Sequence, residues 1–491
     1  MKNSFRQRAE CAQAIDDRPG AASKLCPDPI CTDIAAPMIL PIIHRARGLL
    51  GSAVSRHLHQ GVALTFGLQF GGAIVSFAMY TLAARILSPV DFGHLAMWLC
   101  VCQLSSVAAV LGQEMFVLRS LHEHAVAGRP DLAKGSLLFS VAIVAVTPLL
   151  LAVIIGLVGV VLLGETPRLM VATGLFLVFS SSITLSSHIG RSTVSVLLAE
   201  GMRDFFWRSI VVAVMLGLIV TGTIIEIHEF FLLSVAGIAL ALTIQVVAIA
   251  RRLPKELLAA RPSWQFGPWI KASFGFWAAA ILETINQYFD VIIVYWFLDP
   301  VSAGAYFVAS RIANMFAVGL GALHNVSTRR IPALYFSGNT EELNKVLKSM
   351  AEMMLLCVGS GIALVLSGAD KILALFGPDF VAQKWTLITL ALGTAFYAAG
   401  GPASSVLMIA GHERRYPFIV AANIALRFIG FAIFIPIFGL WGAALAASTS
   451  LAIVTIVLNV LCRRWLGLDP SVLFLFRKRP PTLPEATSRV S

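Results

Sequence analysis

Glu283, Asn286, Gln287 and Asp290 follow i, i+3, i+4, i+7 spacing inside the apolar run FGFWAAAILETINQYFDVIIVYWFL. On a helix this spacing gathers two carboxyls and two amides into one stripe about 100° wide. The carboxyls can load and release an ion, and the amides offer both donors and acceptors to sugar hydroxyls. Asp290, flanked by apolar residues, is the first candidate for ion coupling and Glu283 the second. Basic groups lie within other apolar runs. Arg311 shares a helical face with Asn314 and Asn325, and Arg427 lies one turn after Asn423. His188 and Arg191 join Ser181, Thr184 and Ser195 in a further i, i+3, i+4 stripe. Arginine presents a planar fork to phosphate oxygens, so these positions suit an anionic cargo. The competing reading is static: both acids pair with Arg311 or Arg427 and lock helices together, while Arg191 snorkels to a nearby interface.

The elements that must hold these groups are transmembrane helices. The 491 residues are 58% hydrophobic and 13% charged, with mean hydropathy +0.83, whereas a soluble domain is nearer half apolar and a quarter charged. Runs such as LLFSVAIVAVTPLLLAVIIGLVGVVLLG exceed the roughly 20 residues that span a bilayer core. Short alternating strands are absent, which excludes an outer-membrane barrel. Twelve spans are expected near 61–83, 93–116, 137–163, 169–198, 206–225, 231–250, 272–298, 303–325, 349–367, 383–410, 416–438 and 441–462. An ionisable group at the bilayer centre costs at least about 2.5 kcal/mol. The stripe on the seventh span must therefore face protein or water.

The net charge of +11 does not indicate nucleic acid. Of 37 Lys and Arg residues, 30 fall in the termini and even-numbered loops, and four (Arg85, Arg168, Lys371, Lys384) in the odd-numbered loops. This asymmetry predicts a multi-pass protein with both termini in the cytoplasm and some attraction to anionic membrane lipids. Seven cysteines without a CxxC pair indicate neither a disulfide framework nor a metal site. No Walker A sequence is present, and DFG at Asp91 to Gly93 sits in a short inter-span loop without the companions of a kinase. Residues 1–60 read as a disordered cytoplasmic tail, which leaves open whether translation starts at Met1 or Met38.

The chain repeats itself with a period near 210 residues. Leu87, Pro89, Val90 and Gly93 recur as Leu298, Pro300, Val301 and Gly304; GRPDLAK recurs as GNTEELNK; LLAEG ending at Gly201 answers LMIAG ending at Gly411. Polar residues recur too, with Gln103, Gln113 and Glu114 matching Asn314, His324 and Asn325. The first span, counterpart of the seventh, carries Gly72, Val75, Ser76 and Met79 where the stripe has its polar groups, so the coupling acids are one-sided. Six spans per unit give two bundles of the same orientation, 61–250 and 272–463, with cargo sites expected between them near mid-depth. Residues 251–271 form a basic cytoplasmic linker and 464–491 a cytoplasmic tail.

In order along the chain, AARILSPVDFGHLAMW, LGQEMFVLR, the acid-bearing seventh span, AGAYFVASRI, LFGPDF and IFGLWGAALAAS resemble the polysaccharide transport family over residues 61–465. These are O-antigen and exopolysaccharide flippases of the superfamily that also holds multidrug extruders and the lipid II flippase. The resemblance implies export of undecaprenyl-diphosphate-linked oligosaccharide across the bacterial inner membrane by alternating access, with proton or sodium antiport. Polymerase and glycosyltransferase partners are implied, and no cofactor. It identifies neither the glycan nor the pathway it serves. A multidrug antiporter of the same architecture is the rival, although three intramembrane arginines favour an anion. A membrane-embedded polymerase or ligase would need a substantial external loop, and the longest here, near 368–382, has no plausible nucleophile–base set. The chain reads as a transporter and not an enzyme.

Overall fold

The computed structural model describes residues 67–68, 70–315, 334, 340–407 and 415–476, and every regular element among them is helical. A helix lies under each expected span: α1 Phe70–Ile86, α2 Pro89–Val126, α3 Pro130–Leu162, α4 Pro167–Thr193, α5 Val196–Thr221 and α6 Ile227–Arg252. Next come α7 Phe266–Phe297, α8 at 300–315, α9 Thr340–Ala374, α10 Lys384–Ala399, α11 at 416–438 and α12 at 440–466. The expected tail at 1–60, the polar positions His324 and Asn325, and Gly411 lie outside the described residues. The linker holds a short helix, Lys255–Ala259, whose Pro254 stands at its N-cap.

Helix starts follow from local chemistry. Proline opens α2, α3, α4 and α8, where its missing N–H costs nothing. The repeated segments ILSPVDFG and FLDPVSAG cap their helices with the same two side chains in exchanged order. Ser88 Oγ accepts from Asp91 N–H at 3.1 Å and donates to Asp91 Oδ2 at 2.7 Å. Asp299 accepts from Ser302 N–H at 2.9 Å and from Ser302 Oγ at 2.7 Å. Each is an N-cap that satisfies an orphan donor of the first turn.

Two glycines set the breaks. The helix from Tyr416 to Leu466 runs 51 residues, and a single α-helix of that length would be about 77 Å long, more than twice a bilayer core. It turns back at Gly439 (φ 58°, ψ −137°), a backbone conformation that side chains resist. Gly442 packs on the Phe434 carbonyl, and Gly430 would put a methyl 3.0 Å from the Ala446 Cβ, so α11 and α12 form an antiparallel hairpin about this point. In α2 the break is at Leu111 and Gly112, both left-handed (φ 53° and 73°). There α7 crosses so closely that a methyl on Gly112 would overlap the Ser273 carbonyl. Trp277 Nε1 donates to the Ala108 carbonyl at the same crossing, 3.1 Å. Thus α7 of the second half packs along α2 of the first.

Lipid-facing surfaces read directly from the sequence. Along α3, Val146, Leu149, Leu150, Val153, Ile154 and Leu157 are all more than half exposed, a solvent-incompatible stripe that a bilayer covers. The large core instead joins α2, α4, α6, α7 and α8 through Phe92, Trp98, Phe176, Phe230, Phe231, Val294, Tyr306 and Phe307.

Candidate functional site

The acid-bearing stripe of α7 opens onto a cavity of about 430 Å³. Glu283, Asn286, Gln287 and Asp290 line it with Tyr306, Ser310 and Asn314 of α8, Thr394 and Tyr397 of α10, and Arg427 of α11. All of these helices belong to the second half. Helical rise places Glu283 about 21 Å and Asp290 about 10 Å along α7 from Phe297.

Asp290 and Arg427, expected as separate groups for ion and cargo, form one ion pair, Nη1 to Oδ2 3.2 Å. The Arg427 side chain is 6% exposed, and further bonds fix it: Nη1 donates to the Asn286 carbonyl at 3.0 Å and Nε to Ser450 Oγ at 2.9 Å. Tyr306 donates its hydroxyl to Asp290 Oδ2 at 3.3 Å. Four helices, α7, α8, α11 and α12, therefore meet at this pair. Breaking such a pair by removing one partner leaves an uncompensated buried charge, at about 3–5 kcal/mol. Glu283 forms no ion pair among the described residues and is exposed to the cavity. Asn286 Oδ1 is buried without a hydrogen-bond partner, an acceptor left for something that enters.

Arg311 lies elsewhere, on the divide between the halves. Its guanidinium stacks over the Tyr288 ring at 4.7 Å and the Phe307 ring at 4.9 Å, and Phe307 in turn packs edge-on against Tyr80 of α1 at 5.0 Å. Nε and Nη2 are buried without a hydrogen-bond partner, and no carboxylate pairs with it among the described residues. Counting from Pro300, Arg311 is about 16 Å along α8, near the middle of a bilayer core. Cation–π contact stabilises the charge without neutralising it.

The first half holds its own charged cluster. Glu200, 5% exposed, binds Arg191 at 3.3 Å and Arg203 at 2.7 Å. Arg203 also grips Asp204 with Nε at 3.2 Å and Nη2 at 2.9 Å, and Arg208 stands 3.6 Å from the same carboxylate. The cluster sits on a π-helical turn, Gly201–Phe206, a distortion common at functional sites. In that widened turn the Arg203 carbonyl accepts from Trp207 Nε1 and the Asp204 carbonyl from Arg208 Nη1, both at 2.6 Å. Span 1 leans on the same turn, since a methyl on Gly72 would stand 3.1 Å from the Asp204 carbonyl.

The expected site residues thus divide. Glu283, Asn286, Gln287, Asp290, Asn314 and Arg427 come together in the cavity. Arg191 joins the first-half cluster, and His188 is buried with Nδ1 2.9 Å from the Thr184 carbonyl. Asn423 is buried on α11 with Oδ1 unpartnered, outside the cavity lining. Gln113 accepts from Ser140 within the first half at 2.9 Å, a helix-packing bond. Sequence reading misses Glu200, Arg203, Asp204 and Arg208, because spans expected at 169–198 and 206–225 leave the first three in a loop and Arg208 at a span end. Their i+3 and i+4 spacing is the signal that could have found them. It also misses the aromatic cage of Arg311, although Phe307 stands one helical turn before it.

No protein-family model and no curated protein matches the sequence. Solved structures do. An inward-facing multidrug resistance MATE family transporter of the MOP superfamily superposes with TM-score 0.64 at 14% identity, covering 82% of this chain and 97% of that one. The lipid II flippase MurJ, in an inward closed conformation, gives 0.61 at 16%, covering 82% and 87%. The Vibrio cholerae MATE transporter VcmN, in a point-mutant form, gives 0.58 at 12%, covering 85% and 99%. The chain is therefore a multi-pass helical membrane protein with the fold of MATE transporters and MurJ. An outward-facing MATE family structure superposes less well, at 0.53.

Proposed function

We propose that the chain is an ion-coupled secondary transporter that flips an undecaprenyl-diphosphate-linked oligosaccharide across the bacterial inner membrane, with both termini in the cytoplasm. The cargo would serve surface polysaccharide synthesis, beside glycosyltransferases and a polymerase. Arg311 carries this reading. A guanidinium near mid-membrane, with two unsatisfied nitrogens and no carboxylate partner among the described residues, asks for an anion. A diphosphate offers the oxygens that its fork can hold. The amides of Asn286, Gln287 and Asn314 line space for sugar hydroxyls, and Glu283 is the group free to exchange an ion, because Asp290 is held by Arg427.

Mechanistically, the cargo diphosphate docks at Arg311 on the divide, its glycan extends into the cavity, and the halves rock around it. Ion exchange at Glu283 resets the cycle. One observation favours a second reading: the cavity counts two acids against one arginine, which suits an organic cation and a multidrug antiporter. Reconstitution into liposomes with labelled lipid-linked oligosaccharide decides between them. Translocation that Arg311→Ala abolishes and Arg311→Lys partly retains supports the flippase. Cation efflux with no lipid translocation selects the antiporter.

A further inference from the structure

The two copies of the repeated motif meet each other. At the end sparse in Lys and Arg, the first turn of α2 packs face to face on the first turn of α8, and a methyl on Gly93 would overlap the Pro300 carbonyl. The reciprocal contact is looser: a methyl on Gly304 would stand 3.0 Å from a Phe92 ring carbon and 3.2 Å from the Gly93 Cα. Around this point Phe92 touches Phe307 and Phe380, Phe77 touches Phe376, and Arg85 Nε donates to the Leu375 carbonyl at 2.7 Å. Beside it Tyr295 of α7 lies 2.9 Å from His94 Nδ1 of α2. Each of these contacts joins the first half to the second.

We infer that the duplicated segments ILSPVDFG and FLDPVSAG form a self-complementary latch that closes the passage on its outer side, with Gly93 against Pro300 as its tightest point. The side is the one the loop charges assign to the outside. The inference rests on the transporter reading, which requires this end to open, but not on the cargo. Two features argue for a latch over ordinary packing. The contact at Gly93 is backbone to backbone, so no rotamer change relieves an added methyl, and a core that dense responds by shifting as a whole. The aromatic layer behind it draws on α1, α2, α8 and the segment after α9, so separating the halves parts all its rings at once. The better superposition on an inward-facing relative agrees with a latch that is shut here.

The test uses the full chain with its native cysteines replaced and one cysteine introduced, Ser310→Cys, one turn below Phe307. A membrane-impermeant maleimide is added from the Arg85 side of right-side-out vesicles. Slow labelling is expected in the parent. Gly93→Ala should speed it about tenfold, the factor that ~1.4 kcal/mol of destabilised closure produces. Gly304→Ala should give a smaller rise, because its methyl meets a ring edge. A Phe77→Cys/Phe376→Cys pair, spanned by a short bis-methanethiosulfonate, reads the same seal independently. Its cross-linking yield should be high in the parent and fall with either glycine substitution. Parent-like labelling and parent-like yield in Gly93→Ala overturn the latch. If Gly93→Ala does not fold, a parent-like yield in Gly304→Ala does so. Neither readout needs a cargo, so a failed cargo assignment and a failed latch are told apart.

Discussion

The two halves bury charge in opposite balance. Around the π turn of α5, three arginines (Arg191, Arg203, Arg208) face two carboxylates (Glu200, Asp204). In the second-half cavity, two carboxylates (Glu283, Asp290) face one arginine. Arg311 belongs to neither, with no carboxylate partner among the described residues. A duplicated fold has thus been made electrostatically unequal, and the inequality assigns tasks. The first-half cluster is largely self-satisfied and steadies a distorted helix. The second-half cavity keeps one acid in reserve, and the divide keeps one base.

Removing one side of the second-half pair should have the largest effect. Arg427→Ala strands Asp290 and should cost about 3–5 kcal/mol, read as a lower melting temperature in detergent. The double replacement Asp290→Leu with Arg427→Met should recover most of it. If the double variant is as unstable as the single, the pair is not the lock described. Arg311 should behave in the reverse way. Arg311→Ala strands no carboxylate among the described residues and loses only the ring contacts of Tyr288 and Phe307, so melting should fall much less than in Arg427→Ala. Diphosphate-lipid translocation should fall tenfold or more, in line with about 1.5–3 kcal/mol for a hydrogen bond to a charged group. A large loss of stability would instead mark Arg311 as structural.

Glu283→Gln sharpens the contrast between the two cavity acids. It should flatten the pH dependence of transport while leaving melting nearly unchanged, as expected for a carboxyl with no ion-pair partner among the described residues. Transport that keeps its pH profile in this variant would return the coupling role to Asp290. The smallest effect should come from the first half. Glu200→Gln leaves Arg203 bonded to Asp204, so the loss should be about 1 kcal/mol, with little change in transport rate.

The sequence discloses the helices more fully than the site. Spans are written in long apolar runs, and proline and cap residues mark where they begin, so α2, α3 and α4 fall where expected. The i, i+3, i+4, i+7 rule correctly sets Glu283, Asn286, Gln287 and Asp290 on one face. It does not say that Arg427, 137 residues away from Asp290, meets that face. Ion pairing across a bundle depends on helix rotation and depth, which no local pattern encodes. Arg311 is visible as a charge, but that no carboxylate among the described residues reaches it is a property of packing. The repeat shows Gly93 and Gly304 as equivalent positions; only the fold places one motif on the other.

The reversal at Gly439 has a consequence for biogenesis. The last two spans form one closely packed hairpin, so their burial in the bilayer is coupled. Arg427 then partitions with Ser450 already opposite it across the hairpin, a hydroxyl escort for a residue that insertion alone disfavours by about 2.5–3.5 kcal/mol. Asp290, synthesised earlier, waits in α7 for that arrival. Docking of the terminal hairpin is the step that brings a guanidinium to it; until then, among the described residues, only the Tyr306 hydroxyl stands within reach.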